Sequence, residues 1–439
     1  MAVIEHPAAP RPITNRNLHG QRLKTTQERV LSRRAVMWLG QTCNLRCYFC
    51  YFLNRIADSS HPEHPFMTVE KCKEMCRIFR EVYGCTSIDI QGGEPTIMPG
   101  ILDLIAYCRE IGLYPTLITN GIHLAKPGVL ETFKEAGVRD FLVSLHGIGK
   151  IHDEVVCRKG SYEKITASIQ RMGELDIPFR YNCTMSKPVV PILPQIAQKA
   201  IDYGANAVNF IAFNPFEDQE TGIRTHDNVS KYSDVKPWLT GALDMLEAAG
   251  IESNVRYLPL CMAEERHRKH FYNMQQLPYD HHEWDYQSWL WSGQQPQRIK
   301  EGGLVPPFKM GRGARVALNN SHAWRDFGEK HPAATFVVLK AQHAYAALQQ
   351  AWYGKEAMFH HEGMIRAVYD CKYQKHDACQ QCAARDICDG FHGDYAELYG
   401  TDEATAIPGE RITDPRHYIR EQIKIVEPED EVWALLTRG

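Results

Sequence analysis

The run "RAVMWLGQTCNLRCYFCYF" (residues 34–52) joins two signals: a short apolar stretch closed by Gly40, and Cys43, Cys47 and Cys50 within eight positions directly after it. An apolar run of this length bounded by a turn residue reads as a fully buried strand. The pattern then repeats. A helix opens on the Thr68/Lys71 start signal and runs to about Tyr83, followed by "CTSIDIQ", "GILDLIAYCREIG", "YPTLITN" and "VLETFKEAG", the last closed by Gly137. After these come "DFLVSLH", "SYEKITASIQRMGELD", "FRYNCTM", "LPQIAQKAIDYG", "AVNFIAF" and "VKPWLTGALDMLEAAG". Six strand–helix pairs in succession predict an α/β fold, a parallel sheet with right-handed crossovers curled into a full or partial (β/α)6 TIM-like barrel. Active sites of such barrels lie where strands end and loops begin, so the cysteine loop falls on the working face.

Length and composition bound the rest. A chain of 439 residues exceeds the roughly 250–300 that one core organises, so a main domain and an appended one are expected. A hydrophobic content of 44% and a charged content of 23% are ordinary for a soluble globular protein. A net charge of −3 supplies no basic excess for nucleic acid or an anionic membrane. Neither a signal-peptide core near the start nor a run of eighteen apolar residues is present, and the cytosol is the expected compartment.

Fourteen cysteines in such a chain do not read as a disulfide framework, because reducing compartments keep thiols reduced. Cys72, Cys76, Cys85, Cys108, Cys157 and Cys183 stand singly or at helical spacing within apolar patterns, where free Cys packs as a small hydrophobe. Two sets remain: Cys43, Cys47 and Cys50, then Cys261, Cys371, Cys379, Cys382 and Cys388. Structural zinc takes four ligands, commonly from paired CxxC turns, and the extra residue between Cys43 and Cys47 is unusual for it. An iron–sulfur cube held by three Cys on one loop leaves its fourth iron open, and an open metal position is a reactive one.

CxxxCxxC after the first strand, with Phe49 just before the last Cys, resembles the radical S-adenosylmethionine superfamily. The resemblance implies a 4Fe–4S cluster on Cys43, Cys47 and Cys50 whose open iron binds the amino and carboxylate groups of S-adenosylmethionine. It also implies reductive cleavage of that cofactor to methionine and a 5'-deoxyadenosyl radical, which abstracts hydrogen from a substrate. "QGGEPT" (residues 91–96) matches the family segment that holds the methionyl ammonium, implying roles for Gly92, Gly93 and Glu94. "TNG" (119–121) and "SLHG" (144–147) match positions where polar side chains meet the carboxylate or ribose, implying Asn120 and Ser144. Plain turn chemistry is the other use of such residues. Arg158 faces either the cofactor carboxylate or solvent, and Cys157 is a candidate hydrogen-atom donor, as thiols are in some superfamily epimerases.

The spacing CxxCxxxxxC at Cys379, Cys382 and Cys388 suits a metal, two thiols chelating one face and the third closing from the next turn, with zinc and iron–sulfur both open. Residues 371–400 resemble the C-terminal auxiliary-cluster extension of the SPASM and Twitch subgroups. Cys261, in "YLPLCMAE" (257–264), resembles the post-barrel cysteine that completes such a cluster. A full SPASM domain has seven cysteines for two clusters; five candidates stand here, with His392 in place of a later cysteine. One auxiliary 4Fe–4S cluster is therefore expected, on Cys261, Cys379, Cys382 and Cys388, with Cys371 as substitute or neighbour.

The expected division is an N-terminal extension (1–30), the barrel (31–255), a small irregular Cys-rich SPASM/Twitch-like domain with an insertion (256–410) and a tail (411–439). Within the insertion, residues 279–297 form a surface lobe or a substrate wall, and "MGRGARVALNNSHAW" (310–324) predicts a hairpin turning at Asn319-Asn320. After the sixth strand, Asn214 and Glu217 are candidate substrate contacts. The resemblance implies a radical enzyme fed by flavodoxin or ferredoxin, in natural-product or peptide modification. Oxidation or epimerisation of a small sugar, amino acid or cofactor precursor is the other substrate class. A noncatalytic iron–sulfur or zinc scaffold is the alternative from outside enzymology. Only some thirty irregular residues precede the first strand, so no peptide-recognition or cobalamin domain is expected there.

Overall fold

The computed structural model describes residues 24–26, 34–40, 42–50, 65–81, 85–213, 224–273, 330–353, 372–414, 417–419 and 424–426. Eight parallel strands lie side by side in chain order. They are β1 (Arg34–Trp38), β2 (Ser87–Gln91), β3 (Tyr114–Thr119), β4 (Asp140–Ser144), β5 (Phe179–Met185), β6 (Ala207–Ala212), β7 (Glu252–Arg256) and β8 (Phe271–Tyr272). Between them run α1 (Val69–Glu81), α2 (Ile101–Glu110), α3 (Val129–Ala136), α4 (Lys150–Val155), α5 (Ser161–Glu174), α6 (Leu193–Tyr203) and α7 (Tyr232–Ala248). Among the described residues β1 and β8 do not pair, so the sheet is a curled, open half-barrel. All six expected strands are in it. The sheet then runs on past residue 255 through β7 and β8, which the sequence pattern did not announce.

Strand alternation explains the curl. Ile88, Ile90, Phe141, Val143, Tyr181, Cys183, Val208 and Phe210 pack in the buried core shared with the helices, while the alternate positions face the barrel interior. Those interior positions are largely polar, and low in the barrel they satisfy one another. Arg180 Nε donates to Asp140 Oδ2 (2.8 Å), Arg139 Nη2 to Thr116 Oγ1 (3.0 Å), and Asn254 Nδ2 to Asn209 Oδ1 (2.9 Å). A buried polar set of this kind is tolerable only when its members are paired. It plugs the strand starts and leaves the strand ends for a cavity. Thr68 caps α1 as its sequence signals, its Oγ1 accepting from Lys71 N at 3.2 Å.

Two helices lie beyond the half-barrel: α8 (Pro332–Tyr353) and α9 (Gly393–Tyr399). The segment carrying α9 docks on the start of α7. Tyr395 stacks on Tyr232 with ring centroids 3.6 Å apart, and Tyr232 N donates to its Oη at 2.9 Å. Tyr395 and Phe391 are fully buried in the same core as the barrel residues. Asp389 N donates to Asn273 Oδ1 (2.7 Å), tying this segment to the end of β8. A separate antiparallel ribbon pairs Lys24–Thr26 with Lys424–Val426. Among the described residues no helix is long and apolar enough to cross a membrane.

Candidate active site

The loops after β1 and β2 are clamped together. Gly93 N donates to Gly40 O (3.0 Å) and Glu94 N to Thr42 O (2.9 Å). A Cβ on Gly93 would stand 1.8 Å from Thr42 O, and Gly92 holds a φ of +144°, so backbone replaces side chain at both positions. This clamp fixes the cysteine loop. Cys43, Cys47 and Cys50, none fully buried, line a cavity of about 240 Å³ together with Phe49 and the Gly92–Gly93–Glu94 loop. Leu45 N donates to Cys43 Sγ (3.4 Å), and Tyr48 N to Val155 O (3.3 Å) at the end of α4. Burial pushes the Cys43 thiol up to about 11 and raises Cys47 well above the usual thiol range, and the sulfurs raise one another further. Desolvated thiols such as Cys43 and Cys47 become thiolates readily only beside a cationic centre.

Glu94 is only 1% exposed, yet it borders the cavity. Its Oε1 accepts from Thr96 N (3.0 Å), Thr96 Oγ1 (2.5 Å) and Thr119 Oγ1 (2.6 Å), and its Oε2 accepts from Asn120 N (2.8 Å). Burial raises its pKa and these bonds oppose the rise. Glu94 thus ties the end of β2 to the end of β3, and Oε2, which accepts from Asn120 N, keeps further acceptor capacity. Asn120 braces the cysteine loop: its Nδ2 donates to Asn44 Oδ1 at 2.6 Å and lies 3.9 Å from Cys43 Sγ. Ser144, at the end of β4, lines the same cavity.

Two lining residues escaped the sequence reading. His146 accepts from Thr184 N on Nδ1 (3.1 Å) and meets the Phe49 ring edge-on at 4.6 Å. Burial depresses its pKa to about 3, which leaves a neutral ring with its proton on Nε2. Arg256, 3% exposed, closes β7 at the cavity wall beside the Tyr272 ring (5.4 Å). The run "ESNVR" held the signal, since alternation puts Glu252, Asn254 and Arg256 on one face.

Other predicted residues lie elsewhere. Arg158 donates to Asn44 O (2.8 Å) and lines a separate surface groove with His123 and Lys126. Cys157 is exposed, its Sγ 3.6 Å from Glu154 O, and is not part of the cavity wall. Cys371, Asn214, Glu217, residues 279–297 and the Asn319-Asn320 turn lie outside the described residues.

The rear cysteines do converge. Cys261 sits on a turn (Leu260–Met262) just after β7, Cys379 on the turn Asp377–Gln381, and Cys382 directly after it. Cys379 and Cys382 raise the Cys261 thiol beyond what burial does, and Cys388 is pushed up to about 12 by burial, with Cys261 adding to it. Backbone N–H groups point at the sulfurs: Ile407 N at Cys382 (3.4 Å), Thr405 at Cys261 and Leu260 at Cys388. His392 instead caps α9, its Nδ1 accepting from Asp394 N at 3.4 Å. Among the described residues neither cysteine set brings three sulfurs within 4.8 Å of one another.

Residues 39–213 match the family model described as the Radical SAM superfamily. The AdoMet-dependent heme synthase of Methanosarcina barkeri is 29% identical over 184 residues, which cover 42% of this chain and 51% of that protein. The PqqA peptide cyclase of Bradyrhizobium diazoefficiens is 27% identical over 165 residues, 37% of this chain and 42% of that one. The chain thus spans about half the length of these curated relatives, or less. SuiB of Streptococcus suis bound to S-adenosylmethionine aligns with a TM-score of 0.43 at 17% identity, over 52% of this chain and 51% of that one. The cysteine loop and the five strands β2 to β6 all lie inside the matched segment, and over that segment the chain is similar to the radical SAM superfamily.

Proposed function

We propose that this chain holds a 4Fe–4S cluster on Cys43, Cys47 and Cys50, binds S-adenosylmethionine beside it, and works on an anionic substrate in the half-barrel cavity. The observation that carries this reading is the meeting of three thiols, the Gly-Gly-Glu loop and Arg256 on the wall of one cavity. When bound, the cluster supplies the electron for reductive cleavage of S-adenosylmethionine. The chain's own residues position and shield. Gly92 and Gly93 admit the cofactor close to the backbone, and Glu94 Oε2 accepts from its ammonium. Ser144 Oγ and the Nε2–H of His146 offer polar contacts from the next strand end, while Phe49 keeps water from the cysteines. Arg256 presents a buried guanidinium, which suits a carboxylate or phosphate on the substrate.

Cys261, Cys379, Cys382 and Cys388 hold one auxiliary 4Fe–4S cluster in this reading, within a unit spanning 256–410 appended to the barrel of 31–255. The substrate is a natural product or peptide, or a small acidic precursor; flavodoxin or ferredoxin supplies electrons in the cytoplasm, and neither nucleic acid nor membrane takes part. Anaerobic reconstitution followed by dithionite and S-adenosylmethionine tests it. The expected result is 5'-deoxyadenosine and about eight irons per chain. Full iron loading with no 5'-deoxyadenosine would leave a scaffold rather than an enzyme.

A further inference from the structure

A second constellation lies where α7 ends and β8 begins, on the face of the half-barrel away from the cysteine loops. Asp244 and Glu247 stand near the end of α7; His267 and His270 stand on the turn Glu265–His270 that leads into β8. The two imidazoles are buried, their side chains 1% and 7% exposed. His267 Nε2 lies 2.8 Å from Asp244 Oδ1, which places the ring proton there and leaves a lone pair on Nδ1. That Nδ1 is buried, makes no hydrogen bond among the described residues, and lies 3.5 Å from Glu247 Oε2. His270 Nε2 is 3.8 Å from the same carboxylate oxygen, while its Nδ1 is 3.1 Å from Ser253 Oγ.

Donor atoms of Glu247, His267 and His270 therefore all lie within 4.8 Å of one another. Ligands at zinc distances of 2.0–2.1 Å in a tetrahedron are separated by about 3.3 Å. The observed separations are slightly wider than that and long for hydrogen bonds. Asp244 stands behind His267 in the way carboxylates stand behind metal-bound imidazoles, fixing tautomer and ring direction. Lys269 pairs with Glu247 Oε1 and Arg266 with Asp244 (3.0 and 3.1 Å), so the carboxylates are already oriented and partly neutralised.

We propose that Glu247 Oε2, His267 Nδ1 and His270 Nε2 bind one zinc ion, with Asp244 as positioning residue and water in the remaining position on the Glu247 side. Such an ion staples the end of α7 to the last strand of the half-barrel. Its place away from the cavity makes it structural, independent of whatever the front cysteines hold.

The test uses tag-free full-length protein with its clusters reconstituted, exposed to zinc chloride, desalted and analysed for zinc and iron. Wild type is expected to retain about one zinc per chain. Glu247→Gln and His267→Asn remove a direct ligand and retain well under one zinc per chain, and the zinc-dependent rise in melting temperature disappears with it. Lys269→Gln, which frees Glu247 from its cation, keeps the zinc and shows that surface changes here leave the chain folded. Cys43→Ala and Cys382→Ala also keep it, which separates this zinc from metal misplaced on thiols. No retained zinc in wild type, or equal retention in Glu247→Gln and His267→Asn, overturns the proposal and leaves an ion-pair cluster only.

Discussion

The front and rear cysteine sets are built on opposite principles. Cys43, Cys47 and Cys50 come from one short loop, clamped by backbone to the Gly-Gly-Glu loop, and open on a cavity lined by Ser144, His146 and Arg256. Cys261 comes from one segment and Cys379, Cys382 and Cys388 from another far along the chain, and they are wrapped by the N–H groups of Leu260, Thr405 and Ile407. A set with three thiols and a facing cavity keeps a coordination position for chemistry. A set with four thiols and surrounding amides fills every position, and those amides stabilise the sulfurs' negative charge. In the proposed reading, the contrast separates a site that reacts from one that transfers electrons or holds shape.

The sharpest break of that contrast is Cys47→Ala, which should abolish 5'-deoxyadenosine formation and remove about four irons per chain, read by product chromatography and iron analysis. Cys382→Ala should remove a similar amount of iron yet leave 5'-deoxyadenosine formation within about threefold of wild type. If it fell as far as with Cys47→Ala, the two sets would have to be treated as one centre. Gly93→Ala drives a methyl into Thr42 O and should cost about 3 kcal/mol, the upper end for overpacking. Calorimetry would register the loss, and S-adenosylmethionine binding would weaken alongside it. Arg256→Met leaves both cysteine sets intact and should weaken binding of an anionic substrate about 10–100-fold, the worth of one charge-assisted hydrogen bond. Isothermal titration with the substrate would expose an unchanged affinity. Thr68→Ala should cost only about 1 kcal/mol through the lost helix cap, with unchanged iron content; any larger effect would show α1 to be coupled to the cysteine loop.

Much of this was legible from residue order. Six strands, the Thr68 start of α1 and Gly137 at the end of α3 follow from periodicity and caps, because each buries one face against neighbours that share its pattern. β7 was not legible: "ESNVR" has a single large apolar residue, and its polar face is buried only because Asn209 and Glu252 meet Asn254 inside the barrel. The helix α8 hid because its apolar residues do not gather into one stripe, and Val337, Leu348 and Trp352 all stay exposed. Within the site, the cysteines and glycines announce themselves by spacing. His146 and Arg256 do not, since their roles arise from strand ends that meet only after folding. The His267–His270 pair carries the spacing of a ligand pair, but its carboxylate lies on a preceding helix that no linear motif connects to it.

The position of Cys261 has a consequence for how the protein is made. It leaves the ribosome with the barrel, whereas Cys379, Cys382 and Cys388 emerge only after a long intervening stretch. During synthesis the front loop can be complete while Cys261 still waits for its companions. A chain released early would therefore carry an intact front loop with no rear set behind it, and iron retained by such truncated products would reveal whether loading proceeds in that temporal order.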